Sequence, residues 1–89
     1  MLNHKIHLSK DALFQDIGDE GVILDLKSSS YYGLDEIGVR LWQLLQDNPN
    51  LQAACEKLLM EYDVQAEQLE HDALKLVAQL AEAGLATVE

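Results

Sequence analysis

Between Gly21 and Leu45 the segment GVILDLKSSSYYGLDEIGVRLWQLL leaves almost no residues free for connections, so the order of its elements is tightly fixed. Val22, Leu24 and Leu26 alternate with Ile23 and Asp25. Lys27 to Ser30 supply a polar turn and Tyr31 to Leu34 resume an extended, aromatic run, which together read as a β-hairpin. Asp35 stands where a helix N-cap is needed, and Ile37, Leu41, Leu44 and Leu45 fall at i, i+4, i+7 and i+8 on one helical face. Strand, turn, strand and helix must follow one another directly.

Two further extended pieces are expected upstream, Lys5 to Leu8 and Ala12 to Ile17, the second ending in the turn Gly18-Asp19-Glu20-Gly21. Downstream, Gln46 to Asn50 contains the chain's only proline and breaks the first helix, with Asn50 placed to cap a second helix from about Leu51 to Tyr62. A third helix starts near Gln65 or Ala66 and ends at Gly84, which can take the left-handed conformation that closes a helix. On it, Leu69, Ala73, Leu76 and Leu80 form one apolar stripe, and Leu74, Val77, Ala78 and Ala81 widen the apolar arc. That arc is broader than one core contact needs: either the sheet and the other helices cover the excess, or its flank lines a groove. The expected architecture is α+β and winged-helix-like, a three-stranded antiparallel sheet packed on three helices, with a pure three-helix bundle as the alternative.

Eighty-nine residues suit one domain, residues 1–89, because a second core would leave each half too small to bury a useful share of its surface. The formal charge of −10, from 16 acidic and 6 basic residues, would repel a polyphosphate backbone. Lys57, Lys75 and Arg40 are scattered over different helices, so the winged-helix outline comes without the basic face that reads DNA. No apolar run approaches the roughly 20 residues that span a bilayer, and MLNHKIHLSK has no signal-peptide hydrophobic region, so a cytoplasmic protein with no membrane partner is expected. The single cysteine, Cys55, falls in the stripe of the second helix and reads as a small buried hydrophobe. Trp42 flanks the buried stripe of the first helix and reads as structural.

Catalytic patterns are missing. His4 and His7 would point to opposite faces of a strand, His71 stands alone, and there is no Cys/His pairing, HExxH, phosphate loop or nucleophile elbow. Glu61, Asp63, Glu67, Glu70 and Asp72 read as solvated helix ends and faces, several of them suited to the positive end of the third helix. Neither an enzyme nor a bound cofactor is expected. The feature that could bind a partner is the Tyr31-Tyr32-Gly33 strand at a sheet edge, whose unpaired N–H and C=O groups could template another strand beside the apolar third helix.

The segment ILDLKSSSYYGLDEIGVRLWQLL, the MEYDV that closes the second helix, and HDALKLVAQLAEAGLA resemble the PqqD-like family of peptide-recognition domains over roughly residues 20 to 88. The resemblance rests on an ordered set: a Leu-Asp strand, a turn, Tyr-Tyr-x-Leu, Gly38 and Trp42 in the first helix, Asp72-Ala73, and the closing Leu80 with Gly84-Leu85. It departs from the family pattern in the hairpin turn, where Lys27-Ser28-Ser29-Ser30 stands in place of the usual glycine.

The resemblance implies a non-catalytic module that captures the leader segment of a ribosomally made precursor peptide by strand addition and delivers it to modifying enzymes. These would be a leader peptidase and a cyclase if the chain is the standalone recognition protein of a lasso-peptide pathway, or a radical enzyme in related pathways. Mapped onto this chain, backbone groups of Ser29, Ser30, Tyr31, Tyr32 and Gly33 would pair with the leader. Ala73, Leu76, Val77 and Leu80 would line apolar pockets, and Glu70 and Asp72 would attract a basic residue. Two other outcomes stay open: docking of a folded partner through the acidic face of the third helix, and homodimer formation through the open strand edge.

Overall fold

A computed structural model describes residues 4–89. Its elements are β1 (Ile6–Leu8), β2 (Ala12–Asp16), β3 (Gly21–Asp25), β4 (Ser30–Leu34), α1 (Glu36–Asp47), α2 (Leu51–Glu61), α3 (Ala66–Glu82) and β5 (Ala86–Val88). The α+β architecture with three helices and a three-stranded antiparallel sheet is present, in the strand order β2-β3-β4.

The β3–β4 register pairs Asp25 with Ser30 and Gly21 with Leu34, so Leu26 to Ser29 form the hairpin loop. Without a glycine, the loop uses side chains. Asp25 accepts from the Lys27 N–H and the Ser28 hydroxyl, the Ser29 N–H donates to the Asp25 carbonyl at 2.8 Å, and Ser29 takes the left-handed position at φ 60°. The serine-rich turn therefore replaces the missing glycine with an Asx-type network and one strained residue.

Alternation along the strands gives the sheet an inner and an outer face. Phe14, Ile23, Tyr32 and Leu34 point inward, and Ile23 is wholly buried. Phe14 stacks on Trp42 with ring centroids 6.5 Å apart. Gly21 lies between Phe14 and Val39, where a Cβ would approach the ring at 2.7 Å and the valine methyl at 2.8 Å. The close packing of β3 on α1 needs a residue without a side chain here.

The expected caps are in place. Asp35 accepts from the Gly38 N–H at 2.8 Å, and Asn50 accepts from the Ala53 N–H at 3.0 Å. At the end of α3 the Leu85 N–H reaches the Leu80 carbonyl at 2.8 Å and the Gly84 N–H reaches Ala81 at 3.1 Å, with Gly84 at φ 79°. This is the Schellman closure, and it turns the chain back into β5. From α1, Leu41, Trp42, Leu44 and Leu45 enter the core; α2 adds Leu51, Ala54, Cys55 and Leu58. Burial pushes the Cys55 thiol up, away from the thiolate range.

Sequence periodicity gave no sign of β5. It pairs antiparallel with β1 in a separate two-stranded ladder, Ile6 opposite Val88 and Leu8 opposite Ala86. His4 Nδ1 lies 2.9 Å from the Glu89 backbone oxygen and the His7 ring contacts the Glu89 carboxylate, so both histidines serve this ladder. The N-terminal strand is thereby held away from the three-stranded sheet.

Candidate functional site

β4 is hydrogen-bonded to β3 on one side only, and no described strand pairs with its other edge. Neither β1 nor β5 covers it. Beside that edge opens a cavity of about 500 Å³ between β4, α1 and α3. Its apolar surface comes from Leu34, Ile37, Leu41, Leu58, Leu69 and Leu76, and its polar wall from Asp35, Asp72, Lys75 and Gln79. Gly38 on α1 borders the opening and lets Leu34 and Asp35 pack closely on the helix, where a Cβ would meet them at 3.2 to 3.4 Å.

Two contacts tie together the elements around this groove. The Tyr32 hydroxyl donates to Gln79 Oε1 at 3.0 Å, joining β4 to α3 across it. Arg40 on α1 makes a paired hydrogen bond with Glu61 at the end of α2, at 2.7 and 2.8 Å, which braces the helices that supply Leu41 and Leu58. The Arg40 guanidinium holds the Glu61 carboxyl below the ordinary carboxylate range, mainly through that hydrogen bond.

The structure distributes the sequence-derived candidates unevenly. Tyr32, Gly33, Asp72, Ala73 and Leu76 meet at the cavity. Ser29 and Ser30 belong to the hairpin turn and the start of β4, and the Tyr31 ring stands 78% exposed on the outer face of the sheet. Val77 and Leu80, expected to line pockets, are only 4% and 1% exposed and pack into the core; their side chains are absent from the cavity wall. Glu70 is half-buried on another flank of α3. Asp72 accepts from Gln68 Nε2 at 3.0 Å and shares the wall with Lys75, so this wall carries both signs of charge.

Sequence reasoning missed the contributions of α1 and α2. One available signal was Gly38: a glycine inside a helix costs about 1 kcal/mol relative to alanine and marks a place where a side chain is unwanted. The groove face of α3, Leu69, Asp72, Ala73, Leu76 and Gln79, follows helical spacing, but the core face is equally apolar. Among the described residues no three His, Cys, Asp or Glu side chains come together to hold a metal ion, and no helix is long and apolar enough to cross a membrane.

An α+β, winged-helix-like scaffold with an unpaired edge strand beside an apolar groove is the class of protein these features define. The chain belongs to the PqqD family: the family model described as coenzyme PQQ synthesis protein D matches residues 20–86. It is similar to the solved structure of TbiB1 in complex with the TbiA(beta) leader peptide, with a TM-score of 0.82 and 30% identity over 90% of this chain and 93% of that one. It is also similar to a lasso peptide synthetase B1 complexed with the leader peptide, with a TM-score of 0.81 and 26% identity over 93% of this chain and 98% of that one. A comparison with curated proteins finds no match.

Proposed function

We propose that the chain is a non-catalytic, single-domain recognition module that binds the leader segment of a ribosomally made precursor peptide and presents it to modifying enzymes in the cytoplasm. The observation that carries this reading is the free edge of β4 beside the apolar cavity, in a fold shared with two leader-peptide complexes. A leader strand added to β4 would satisfy that edge with main-chain hydrogen bonds that depend little on sequence. Its inward side chains would enter the cavity against Ile37, Leu41 and Leu76 and supply selectivity.

Magnitudes support a role for both parts. Ordering a disordered leader costs about 2 to 5 kcal/mol, and a micromolar dissociation constant needs about 8 kcal/mol of net binding, so strand pairing alone is insufficient. The cavity supplies the apolar burial that closes the gap. The similarity to a lasso peptide synthetase B1 favours a leader peptidase and a cyclase as the enzymes served. The formal charge of −10 adds an attractive field for basic segments of the precursor.

An amide chemical-shift titration of the ¹⁵N-labelled domain with its cognate leader peptide tests the reading. Shifts are expected along β4 from Ser30 to Leu34 and on the Leu69 to Gln79 face of α3, with β2 and β5 unmoved. Perturbations confined to the exposed acidic residues of α3, and lost at high salt, would instead support docking of a folded partner there.

A further inference from the structure

The outer face of the three-stranded sheet is apolar where solvent should favour polar side chains. The register aligns Leu13, Leu24 and Tyr31 directly across β2, β3 and β4, and Gln15, Val22 and Gly33 form the next row. Ile17 and Leu26 continue the same alternation just beyond the strands, and both are 58% exposed, with Leu13 at 53%. Not one of these eight positions is charged. An antiparallel sheet with one solvated face ordinarily alternates apolar inward with polar outward, and exposed edges are usually protected by lysine. Neither safeguard is present, and the groove on the opposite face does not account for it.

We infer that this outer face is the docking surface for a folded partner that carries an apolar patch rimmed by lysine or arginine, and that the partner is the enzyme to which the bound leader is delivered. The inference rests on the leader-binding reading and names its next step. A leader strand on the β4 edge widens the sheet from three strands to four, and alternate leader residues then stand on this same face beside Tyr31. A partner seated there touches recogniser and cargo together.

Charge and area select this occupant over a second copy of the chain. Asp19 and Glu20 stand in the β2–β3 turn at one end of the face and make no ion pair among the described residues. At the other end Lys27 is neutralised by Asp11 at 3.2 Å, so the uncompensated charge of the rim is negative. Two copies, each at −10, would repel. Three five-residue strands present a face of roughly 17 by 14 Å. That falls well short of the roughly 800 Å² per partner of a stable interface, so a stable complex needs the extra area of the leader strand and the basic contacts at the rim.

The double variant Leu13→Ser, Ile17→Ser tests this, because both side chains are exposed and lie on or beside the strand farthest from the groove. Fluorescence anisotropy of a labelled cognate leader reads leader affinity. Surface plasmon resonance of the leader-loaded domain over the immobilised leader peptidase of the same pathway reads docking. Leader affinity should stay within about twofold of wild type, as for most surface changes. Association with the peptidase should weaken by about tenfold or more, as expected when an interface loses apolar anchors. Unchanged association, or a wild-type dimer in sedimentation equilibrium that the variant fails to form, would overturn the proposal. A wild-type domain that does not bind leader refutes the leader-binding reading separately; association of the unloaded domain, weakened about tenfold by the same variant, then still supports the face as a docking surface.

Discussion

The two edges of the three-stranded sheet offer the same backbone chemistry in different surroundings. Among the described strands β2 and β4 each have one side unpaired, yet β4 borders the cavity walled by α1 and α3, whereas β2 contributes no residue to that cavity. From β2, Phe14 stacks on Trp42 and pins the strand to the core, while Leu13 and Asp16 face solvent. Strand addition needs more than vacant N–H and C=O groups, and side-chain pockets are what set the β4 edge, the candidate site, apart from the β2 edge.

The strongest way to break this comparison is to place a carboxylate on each side. Leu76→Glu should weaken leader binding by about 2 kcal/mol or more, roughly thirtyfold, because the charge must be desolvated against an apolar guest. Leu13→Glu should leave leader affinity unchanged. Isothermal titration calorimetry on both variants, with far-UV circular dichroism as the fold control, reads the contrast; equal losses would erase the distinction between the edges.

Gly21→Ala probes the structural side. The added methyl meets Phe14 and Val39, so unfolding free energy in urea should fall by about 1 to 3 kcal/mol while leader affinity of the folded variant is retained. Ser29→Gly acts on the β4 side in the opposite direction. Relief of the left-handed serine should raise stability by about 1 kcal/mol, read as a higher urea midpoint.

The smallest effect concerns acid. The folded-state pKa of Glu61 is depressed, so its ion pair with Arg40 stabilises the protein above the ordinary value of 4.5 and is lost as pH falls through the depressed value. Wild type should therefore lose stability more steeply than Arg40→Ala below about pH 4.5. The difference is modest because the pair is exposed and screened. Urea denaturation at pH 7 and in steps below pH 4.5 measures it.

Local signals carried most of the fold. Asp35, Asn50 and Gly84 mark helix ends because capping chemistry is confined to a few neighbouring residues, and the alternation of Val22 to Leu26 marks a strand for the same reason. Contacts between distant segments were harder to read. β5 is three residues, too short for periodicity, and its partner β1 lies at the other end of the chain. The α3 helix shows why the site was only partly legible: Leu76 and Leu80 share one stripe in sequence, yet the first lines the cavity and the second is core, a division made by what packs against each. Ser29 hid its left-handed backbone because the Asx network of Asp25 stabilises a conformation that its residue type does not advertise.

A single residue, Asp35, separates the end of β4 from the start of α1. That joint leaves no slack: tilting the strand levers the helix, and with it Gly38 and Leu41 at the back of the cavity. In the proposed leader complex, guests of different girth would then be fitted by moving α3 or by rotating side chains, so tolerance for varied cargo would be decided on the far bank, with the bank bearing β4 as a fixed ruler.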